Sequence, residues 1–342
     1  MKRLLLFLLV VAALLAGAYA WENANFNAPG PVARAGSETV VLIPTGIGVR
    51  RIAARLADAG VISNADLFAL GVRLRGKVSA LRAGEYAVPS RASMADIEDI
   101  LVAGKSILHK LTAAEGLTSR MILDIVKADP VLEGEAGAVP DEGTLLPETY
   151  LFTRGTTRAE LIARMRKAQQ TLLDRLWPKR APGLPFRDES EAMILASIVE
   201  KETAIAQERR HIAAVFVNRL RLGMKLQSDP TIIYGLTKGY PLGHGIRESE
   251  LNRATPYNTS AIAGMPPTPI CNPGADSIAA VLNPAASDDL YFVADGTGGH
   301  VFAATVAEHE KNVAKWRRIE HPDAPPPAPV HRHKLPKARH RR

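Results

Sequence analysis

Three glutamates lie within nine residues of the stretch LASIVEKETAIAQERR. If residues 189–203 form a helix, Glu202 lies four positions after Ile198 and falls in the middle of an apolar face. Glu200 projects to the opposite side, where solvent is expected. Glu208 lies beyond the predicted helix end, where a structural ion pair with a neighbouring arginine is expected. The spacing therefore singles out Glu202 as the glutamate whose environment is unusual.

A carboxyl on an apolar face is costly to ionise, because burial raises its pKa. A carboxyl that stays protonated near neutral pH is suited to act as a general acid. The alternative is a structural role for Glu202 at a helix end, paired with Arg209 or Arg210 or accepting a loop N–H. Asp229 is a candidate second carboxylate, although its place before Pro230 also suits an Asx turn. Spacing alone leaves these alternatives open.

Other familiar chemical motifs are not found in this sequence. It contains no GxSxG, no P-loop, no dinucleotide-binding glycine fingerprint and no HExxH. The single cysteine, Cys271, excludes an internal disulfide and a multi-cysteine metal site. The nine histidines are scattered, and His300, after a glycine-rich turn, is expected to be structural. We expect neither a metal nor a cofactor.

The net charge of +8 is concentrated at the carboxyl end of the chain. The segment 322–342 holds six Lys or Arg and one Asp, so the rest of the chain is nearly balanced. No basic face of the kind that nucleic-acid binders need is indicated, and no nucleic-acid partner is expected. The tail at 321–342 is rich in proline and then basic, and it is predicted to be disordered. Contact of this tail with an acidic lipid or polymer is the alternative to a solvated tail.

Residues 1–21 predict a transmembrane anchor. Lys2 and Arg3 precede 17 uncharged residues, which span about 26 Å as a helix against a ~30 Å hydrocarbon core. The charges place residues from 22 onward outside the cytoplasm. A cleaved signal peptide is the alternative, because Ala18 and Ala20 fit a small-x-small cleavage site. Both interpretations place the rest of the chain outside the cytoplasmic membrane.

The remaining chain predicts an α+β fold, because strands and helices mix without regular βαβ alternation. Residues 22–39 are predicted to be a linker. Residues 40–106 are predicted to form a small β-α-α-β module, with TVVLIP and AGEYAVP as its strands, and a following helix. Residues 107–320 are predicted to form a larger mixed α+β catalytic domain. Within it, the segment 227–273 is rich in Gly, Pro, Asn, Thr and Ser, which is typical of loops that line a site.

Long blocks of the sequence resemble the endolytic murein transglycosylases, the YceG-like family. They are ASIVEKETAIAQERRHIAAVFVNRLRLGMKLQSDPTIIYGL, PYNTSAIAGMPPTPICNPGADSIAAVLNP and LYFVADGTGGHVFAAT, and EGTLLPETYLF is similar to another motif of that family. The resemblance extends from residue 40 to about residue 318 and does not include the basic tail. It implies that Glu202, the second glutamate of an E-K-E-T motif, is the general acid. It also implies a retained membrane anchor and a LysM-like character for the module at about 40–89.

The resemblance implies non-hydrolytic cleavage of MurNAc–GlcNAc β-1,4 bonds within peptidoglycan strands, which leaves 1,6-anhydroMurNAc ends. The implied location is the periplasmic side of the cytoplasmic membrane, with a single membrane span. The implied partners are glycan strands and the wall-synthesis machinery, and the implied role is to limit the length of nascent strands. The candidate substrate-binding residues are Glu208, Gln227, Asp229, Tyr257, Asn258 and Thr259. Polar residues that only brace loops are the alternative for this set.

The sequence is also compatible with two other functions. A non-catalytic envelope scaffold would bind peptidoglycan through a LysM-type module, and it would not need an acid on an apolar face. A hydrolase would use Glu202 as the acid and Asp229 as the base, so loss of the Asp229 carboxylate would be as damaging as loss of Glu202.

Overall fold

A computed structural model describes residues 2–320, so the predicted disordered tail at 321–342 lies outside the described residues. The described part contains twelve α-helices and six β-strands, and the strands form three two-stranded antiparallel sheets. This mixture confirms the predicted α+β class. The chain forms two compact units, residues 2–170 and residues 171–320.

Six helices and four strands begin in the first unit. In chain order they are α1 (Lys2–Phe26), β1 (Glu38–Ile43), α2 (Val49–Asp58), α3 (Ala65–Leu74), β2 (Gly84–Pro89), α4 (Met94–Ala103), β3 (His109–Thr112), α5 (Ser119–Ala128), β4 (Thr149–Phe152) and α6 (Arg158–Leu176). The boundary between the two units falls within α6.

Helix α1 is long and apolar enough to cross a membrane, and a signal sequence near an N-terminus has the same properties. It continues to Phe26, five residues beyond the predicted end of the anchor. The reason is packing against α3, where Phe26 stacks on Phe68 with ring centroids 6.0 Å apart. Arg75 also donates to the buried Glu22 at 2.9 Å. These contacts keep the last turns of α1 helical.

The β-α-α-β order predicted from the sequence is present. β1 and β2 pair antiparallel, with Val40 opposite Ala87, and α2 and α3 lie between them in the chain. Asn64 caps α3 by accepting the N–H of Leu67 at 2.9 Å. Helix α4 follows and ends at Gly104, whose φ of 65° is the left-handed conformation that glycine adopts readily. The order agrees with a compact module, and its LysM-like character stays a prediction.

The first unit contains two hydrophobic clusters. One draws on residues 26–101 and the other on residues 111–165, and the gap between them includes the predicted domain boundary at 106. Both clusters nevertheless belong to one compact unit. The predicted division of the chain at this point therefore stays a prediction.

Glu85 of β2 connects the two parts of the first unit. It is 8% exposed, its Oε2 lies 2.6 Å from Nε2 of His109, and its Oε1 accepts from Nε of Arg154 at 2.9 Å. Burial by itself raises the pKa of Glu85, but the hydrogen bonds from His109 and Arg154 outweigh burial and hold the pKa below its ordinary value. The charged carboxylate is therefore the form that stabilises the fold.

The second unit contains the remaining helices and a hairpin. In chain order its elements are α7 (Glu189–Glu202), α8 (Arg209–Arg221), α9 (Asp229–Thr237), α10 (Glu248–Leu251), α11 (Ala275–Leu282), β5 (Tyr291–Ala294), β6 (His300–Ala303) and α12 (Val306–Glu320). Residues 192–199 of α7 are all buried, and α7 packs against α8, α9 and α11. Helix α7 is therefore the central element of this unit.

Replacing Glu85 with Gln should lower the free energy of unfolding by about 1–3 kcal/mol near neutral pH, because a buried charge-assisted hydrogen bond is lost. A depressed carboxyl pKa stabilises the fold above the unfolded value of 4.5, and this contribution disappears as the pH falls through the lower folded value. The variant should therefore lose less stability than the wild type on acidification below about pH 5. Urea unfolding at several pH values measures both effects.

Glu38→Gln is the matched control, because Glu38 lies exposed on β1 of the same sheet. Its free energy of unfolding should change by less than about 0.5 kcal/mol. Equal pH dependence in the wild type and in Glu85→Gln would contradict the assigned role of Glu85.

Candidate active site

Glu202 is the last residue of α7. The helix begins at Asp188, whose carboxylate caps it by accepting the N–H of Glu191 at 2.9 Å, and it ends where Thr203 adopts extended backbone. Glu202 follows the buried run 192–199 by less than one turn and is itself partly buried. Its carboxyl therefore lies at the edge of the hydrophobic core, where one side is desolvated and part of the surface remains accessible.

Burial raises the pKa of Glu202 to about 7. The hydrogen bond from Ser228 acts in the opposite direction, and the nearby charge of Asp229 adds to the rise. The charges of His300 and Arg219 lower the pKa but do not cancel the effect of burial. A substantial fraction of this carboxyl is consequently protonated near neutral pH, as the apolar spacing led us to expect.

Ser228 holds the Glu202 carboxyl, and no sequence pattern pointed to it. It is 1% exposed, and its hydroxyl donates a short hydrogen bond to Oε1 of Glu202. Ser228 occupies the cap position before α9, where a serine oxygen usually accepts a backbone N–H of the first turn. Here that capping bond is missing, and the hydroxyl is directed at Glu202 instead. A cap residue without a cap bond is the structural sign of this second role.

Thr259 fixes the backbone that carries Ser228. It is fully buried, its Oγ1 accepts the N–H of Ser228 at 2.9 Å, and its carbonyl accepts the N–H of Gln227 at 3.1 Å. Its Oγ1 also lies 2.9 Å from Oγ1 of Thr231. Thr259 was predicted to bind substrate, but its side chain faces the protein interior. The loop-bracing alternative describes it better.

Asn258 also braces the loop. It is 1% exposed, and its side-chain amide donates to the carbonyls of Leu251 and Arg253, each at 2.8 Å. Its side-chain oxygen accepts the N–H of Ser260 at 2.9 Å. These partners lie at the end of α10 and in the loop that follows it, so the structure does not bring Asn258 to the carboxyl of Glu202.

Three other predicted site residues have accessible side chains: Gln227 and Asp229, which flank Ser228, and Tyr257. Gln227 is exposed, and its φ of 54° is the left-handed conformation, which is uncommon for a residue with a side chain. Tyr257 is partly buried, its hydroxyl lies 2.8 Å from Oγ1 of Thr268, and its ring packs edge-on against Tyr234. These side chains are available to a ligand.

Asp229 is the first residue of a helix. Residues 229–237 form α9 inside a segment that was predicted to consist of loops. Pro230 is tolerated because the first helical turn lacks partners for its N–H groups, and Ile232 is buried by the helix. The residue is exposed, yet neighbouring atoms desolvate its carboxyl from one side and raise its pKa.

Glu208 pairs with His300, so the expected ion pair with a neighbouring arginine is wrong. One carboxylate oxygen of Glu208 accepts the backbone N–H of His300 at 2.9 Å, and the other lies 2.7 Å from its Nδ1. The backbone approaches closely enough here that a Cβ on Gly299 would lie 2.8 Å from the Glu208 carboxylate. Arg209 instead pairs with Asp276, and Arg210 donates to a backbone carbonyl. Glu208 thus connects the β5–β6 hairpin to the start of α8.

Glu200 is not on a solvated face, contrary to the helical projection. Its carboxylate accepts the N–H of Gly274 at 2.9 Å, at the N-terminus of α11. A glycine at that position has no side chain to cap the helix, and a carboxylate there also complements the helix dipole. Glu200 therefore helps to stabilise the start of α11.

The arrangement provides one carboxyl that can donate and accept a proton, held by a hydroxyl and flanked by a second, more exposed carboxyl. Within residues 2–320, no group of three or more His, Cys, Asp or Glu side chains is placed to hold a metal ion. Arg219, on the buried side of α8, is a further residue near Glu202 that sequence patterns did not indicate.

Comparison with known proteins gives consistent matches. The model of the YceG-like family matches residues 41–315. An endolytic murein transglycosylase of Streptococcus pneumoniae is 30% identical over 359 aligned residues, covering 90% of this chain and 64% of the relative. An endolytic murein transglycosylase of Bacillus subtilis is 28% identical over 319 residues, covering 84% of this chain and 87% of the relative. The chain thus spans slightly less than two thirds of the streptococcal relative.

Among solved structures, a YceG-like protein of Listeria monocytogenes matches with a TM-score of 0.49 and 30% identity. That match covers 81% of this chain and 99% of the other.

Replacing Ser228 with Ala should raise the pKa of Glu202 further above 7, because the hydroxyl favours the ionised carboxylate. The side-chain carboxyl of Glu202 can be titrated by ¹³C NMR in both proteins. Ser249→Ala, at an exposed position of α10, is the control and should leave the titration unchanged. A Glu202 titration that does not move in Ser228→Ala would contradict the hydrogen bond.

The positive φ of Gln227 predicts which substitutions at this position lower the stability of the protein. Gln227→Gly should leave stability nearly unchanged, because glycine adopts positive φ without strain. Gln227→Val should lower the free energy of unfolding by about 1–2 kcal/mol, because a β-branched residue resists this conformation. Urea unfolding of the two variants checks the difference. A valine variant as stable as the glycine variant would show that φ at residue 227 is not positive in solution.

Proposed function

The chain belongs to the YceG-like family, and we propose that it is an endolytic lytic transglycosylase of peptidoglycan. The substrate would be the MurNAc–GlcNAc β-1,4 bond within glycan strands, and the product would carry a 1,6-anhydroMurNAc end. The observation that supports this most directly is a partly accessible glutamate whose pKa burial raises to about 7. Such a carboxyl is a general acid at neutral pH.

In the first step, protonated Glu202 gives its proton to the glycosidic oxygen while the bond from that oxygen to C1 of MurNAc breaks. The sugar ring gains oxocarbenium character, and Glu202 becomes a carboxylate. In the second step, the carboxylate takes the proton of the C6 hydroxyl of the same sugar, and that oxygen bonds to C1. The ring closes, Glu202 is protonated again, and no water is consumed.

A single carboxyl is sufficient for this sequence because the nucleophile belongs to the substrate and is already close to C1. Ordinary glycosidases instead use a second carboxylate as a nucleophile or to activate water. A pKa near 7 suits both steps of the reaction, since Glu202 must release its proton in the first step and regain one in the second. The hydroxyl of Ser228 keeps the carboxyl in one orientation throughout.

Gln227, Asp229 and Tyr257 are the proposed contacts with the glycan, because they are accessible beside the Ser228 segment. Glu208 is proposed to act indirectly, through the position of His300. Asn258 and Thr259 are proposed to hold the loop in place.

Helix α1 is proposed to be a single retained span in the cytoplasmic membrane, with the rest of the chain on the periplasmic side. Its apolar length and the positive charges of Lys2 and Arg3 support this orientation. The β-α-α-β module is proposed to be LysM-like and to contact peptidoglycan. In this position the enzyme would act near the wall-synthesis machinery and limit the length of nascent strands.

Glu202→Gln should abolish cleavage of purified glycan strands, by at least about a hundredfold, because the amide cannot donate the proton. Mass spectrometry of wild-type products should show anhydro ends. Glu200→Gln is the matched control on the same helix, since an amide oxygen can still accept the N–H of Gly274. Normal cleavage by Glu202→Gln would overturn the proposal, and no cleavage by the wild type would favour a peptidoglycan-binding scaffold.

Asp229→Asn distinguishes a transglycosylase from a hydrolase. In the proposed mechanism this variant keeps most of its activity, and its alkaline limit moves to lower pH, because the negative charge of Asp229 helps to keep Glu202 protonated. A loss as large as that of Glu202→Gln, together with products that carry one added water, would identify Asp229 as a base and the enzyme as a hydrolase.

A further inference from the structure

Arg219 is a buried cation that has no carboxylate partner among residues 2–320. It lies on α8 and is 7% exposed. Its Nε donates to the carbonyl of Leu290 at 2.6 Å, and its Nη1 donates to the carbonyls of Leu226 at 2.7 Å and Lys225 at 3.4 Å. In the described part of the chain, none of its partners is an ionised carboxylate within ion-pair distance. The guanidinium also lies 5.3 Å from the ring centroid of Tyr291, so carbonyl oxygens and an aromatic face balance its charge.

The charged groups that act on Glu202 come from three elements. They are Arg219 on α8, Asp229 on α9 and His300 on β6. His300 already lies against the Glu208 carboxylate, which compensates its charge when the ring is protonated. Asp229 carries the opposite sign and disfavours ionisation of Glu202. Arg219, which is bonded to carbonyls and lies over an aromatic ring, is the remaining cation that acts on Glu202.

Electrostatic coupling between Arg219 and Glu202 acts in both directions. Burial lowers the pKa of Arg219, while Tyr291 and Glu202 oppose that shift. In turn, Arg219 lowers the pKa of Glu202 against the effect of burial. A guanidinium remains charged through such changes because its ordinary pKa is above 12. Its charge is therefore constant over the whole range in which Glu202 titrates.

The hydrogen bonds of Arg219 also position the site. Leu226 lies two residues before Ser228, and Leu290 directly precedes β5. One guanidinium thus links α8 to the segment that carries Ser228 and to the hairpin that carries His300. These elements carry the groups that act on the Glu202 carboxyl.

We propose that Arg219 is a positioning residue that acts through Glu202: its bonds to the carbonyls of Leu226 and Leu290 hold the Ser228 segment and the β5–β6 hairpin in place, and its buried charge favours the carboxylate that forms when Glu202 gives up its proton. This inference rests on the proposed function, in which Glu202 alternates between a neutral and a charged form. A direct ion pair would keep the carboxyl ionised and unable to donate. A cation that is bonded to carbonyls, and coupled to Glu202 without an ion pair, lowers the barrier to ionisation without preventing reprotonation.

The test compares two substitutions in the full chain. Arg219→Gln removes the charge. Arg219→Lys keeps the charge but loses the planar guanidinium group, which donates to several carbonyls at once. We expect Arg219→Gln to move the alkaline limit of kcat/KM and the ¹³C titration of Glu202 to higher pH, and to lower kcat about tenfold or more. Arg219→Lys should titrate like the wild type while showing a smaller loss of kcat. Arg221→Gln, two residues along α8 and exposed, is the control and should change neither quantity.

A Glu202 titration that is unchanged in a folded Arg219→Gln variant would overturn the proposal and leave Arg219 a purely structural role. If Arg219→Gln does not fold, Arg219→Met removes the charge while keeping an unbranched apolar side chain in the core. An upward shift of the Glu202 titration in that variant supports the proposal, and an unchanged titration contradicts it. The titration does not depend on turnover, so it tests the coupling even if the wild type cleaves no glycan and the proposed function fails.

Discussion

The second unit is organised around a carboxyl that the fold discourages from ionising. Moving a glutamate pKa from 4.5 to about 7 corresponds to a free-energy difference on the order of 3 kcal/mol between the two protonation states. The shift arises because α7 is buried along residues 192–199 and ends at Glu202, so its last side chain lies at the edge of the core and is only partly exposed to water. Ser228, Arg219 and His300 each lower the pKa of Glu202, and together they offset part of the rise that burial causes.

These partners are brought to Glu202 by contacts between distant parts of the chain. Ser228 lies 26 positions after Glu202, and Thr259 lies 31 positions after Ser228. The hairpin that carries His300 is tied to the start of α8 by Glu208, 92 positions earlier. The loops around the site are therefore defined by buried hydroxyl and amide groups, which leave the outward-facing side chains free to contact a ligand. The polar residues that fix the loops are therefore different from the polar residues that could contact a ligand.

Sequence patterns predicted the parts of this arrangement that are local. Periodicity indicated that Glu202 lies on an apolar face, and the strand and helix patterns indicated the β-α-α-β order of the module correctly. The same patterns did not indicate Ser228 or Arg219. Both residues act through contacts between positions that are far apart in the chain, and such contacts produce no periodicity in the sequence. Proximity along the chain was misleading for Glu208, whose partner is His300. Loop residues such as Asn258 and Thr259 look alike in sequence whether they face a substrate or the protein interior.

The account rests on Glu202 being the group whose protonation governs activity. The most direct measurement follows the ¹³C titration of the Glu202 carboxyl and the rate of glycan cleavage in the same wild-type preparation across a range of pH. If Glu202 is the general acid, cleavage should decline together with ionisation of this carboxyl, with a midpoint near 7. A carboxyl that titrates near its ordinary value of 4.5, with full cleavage well above that pH, would contradict it.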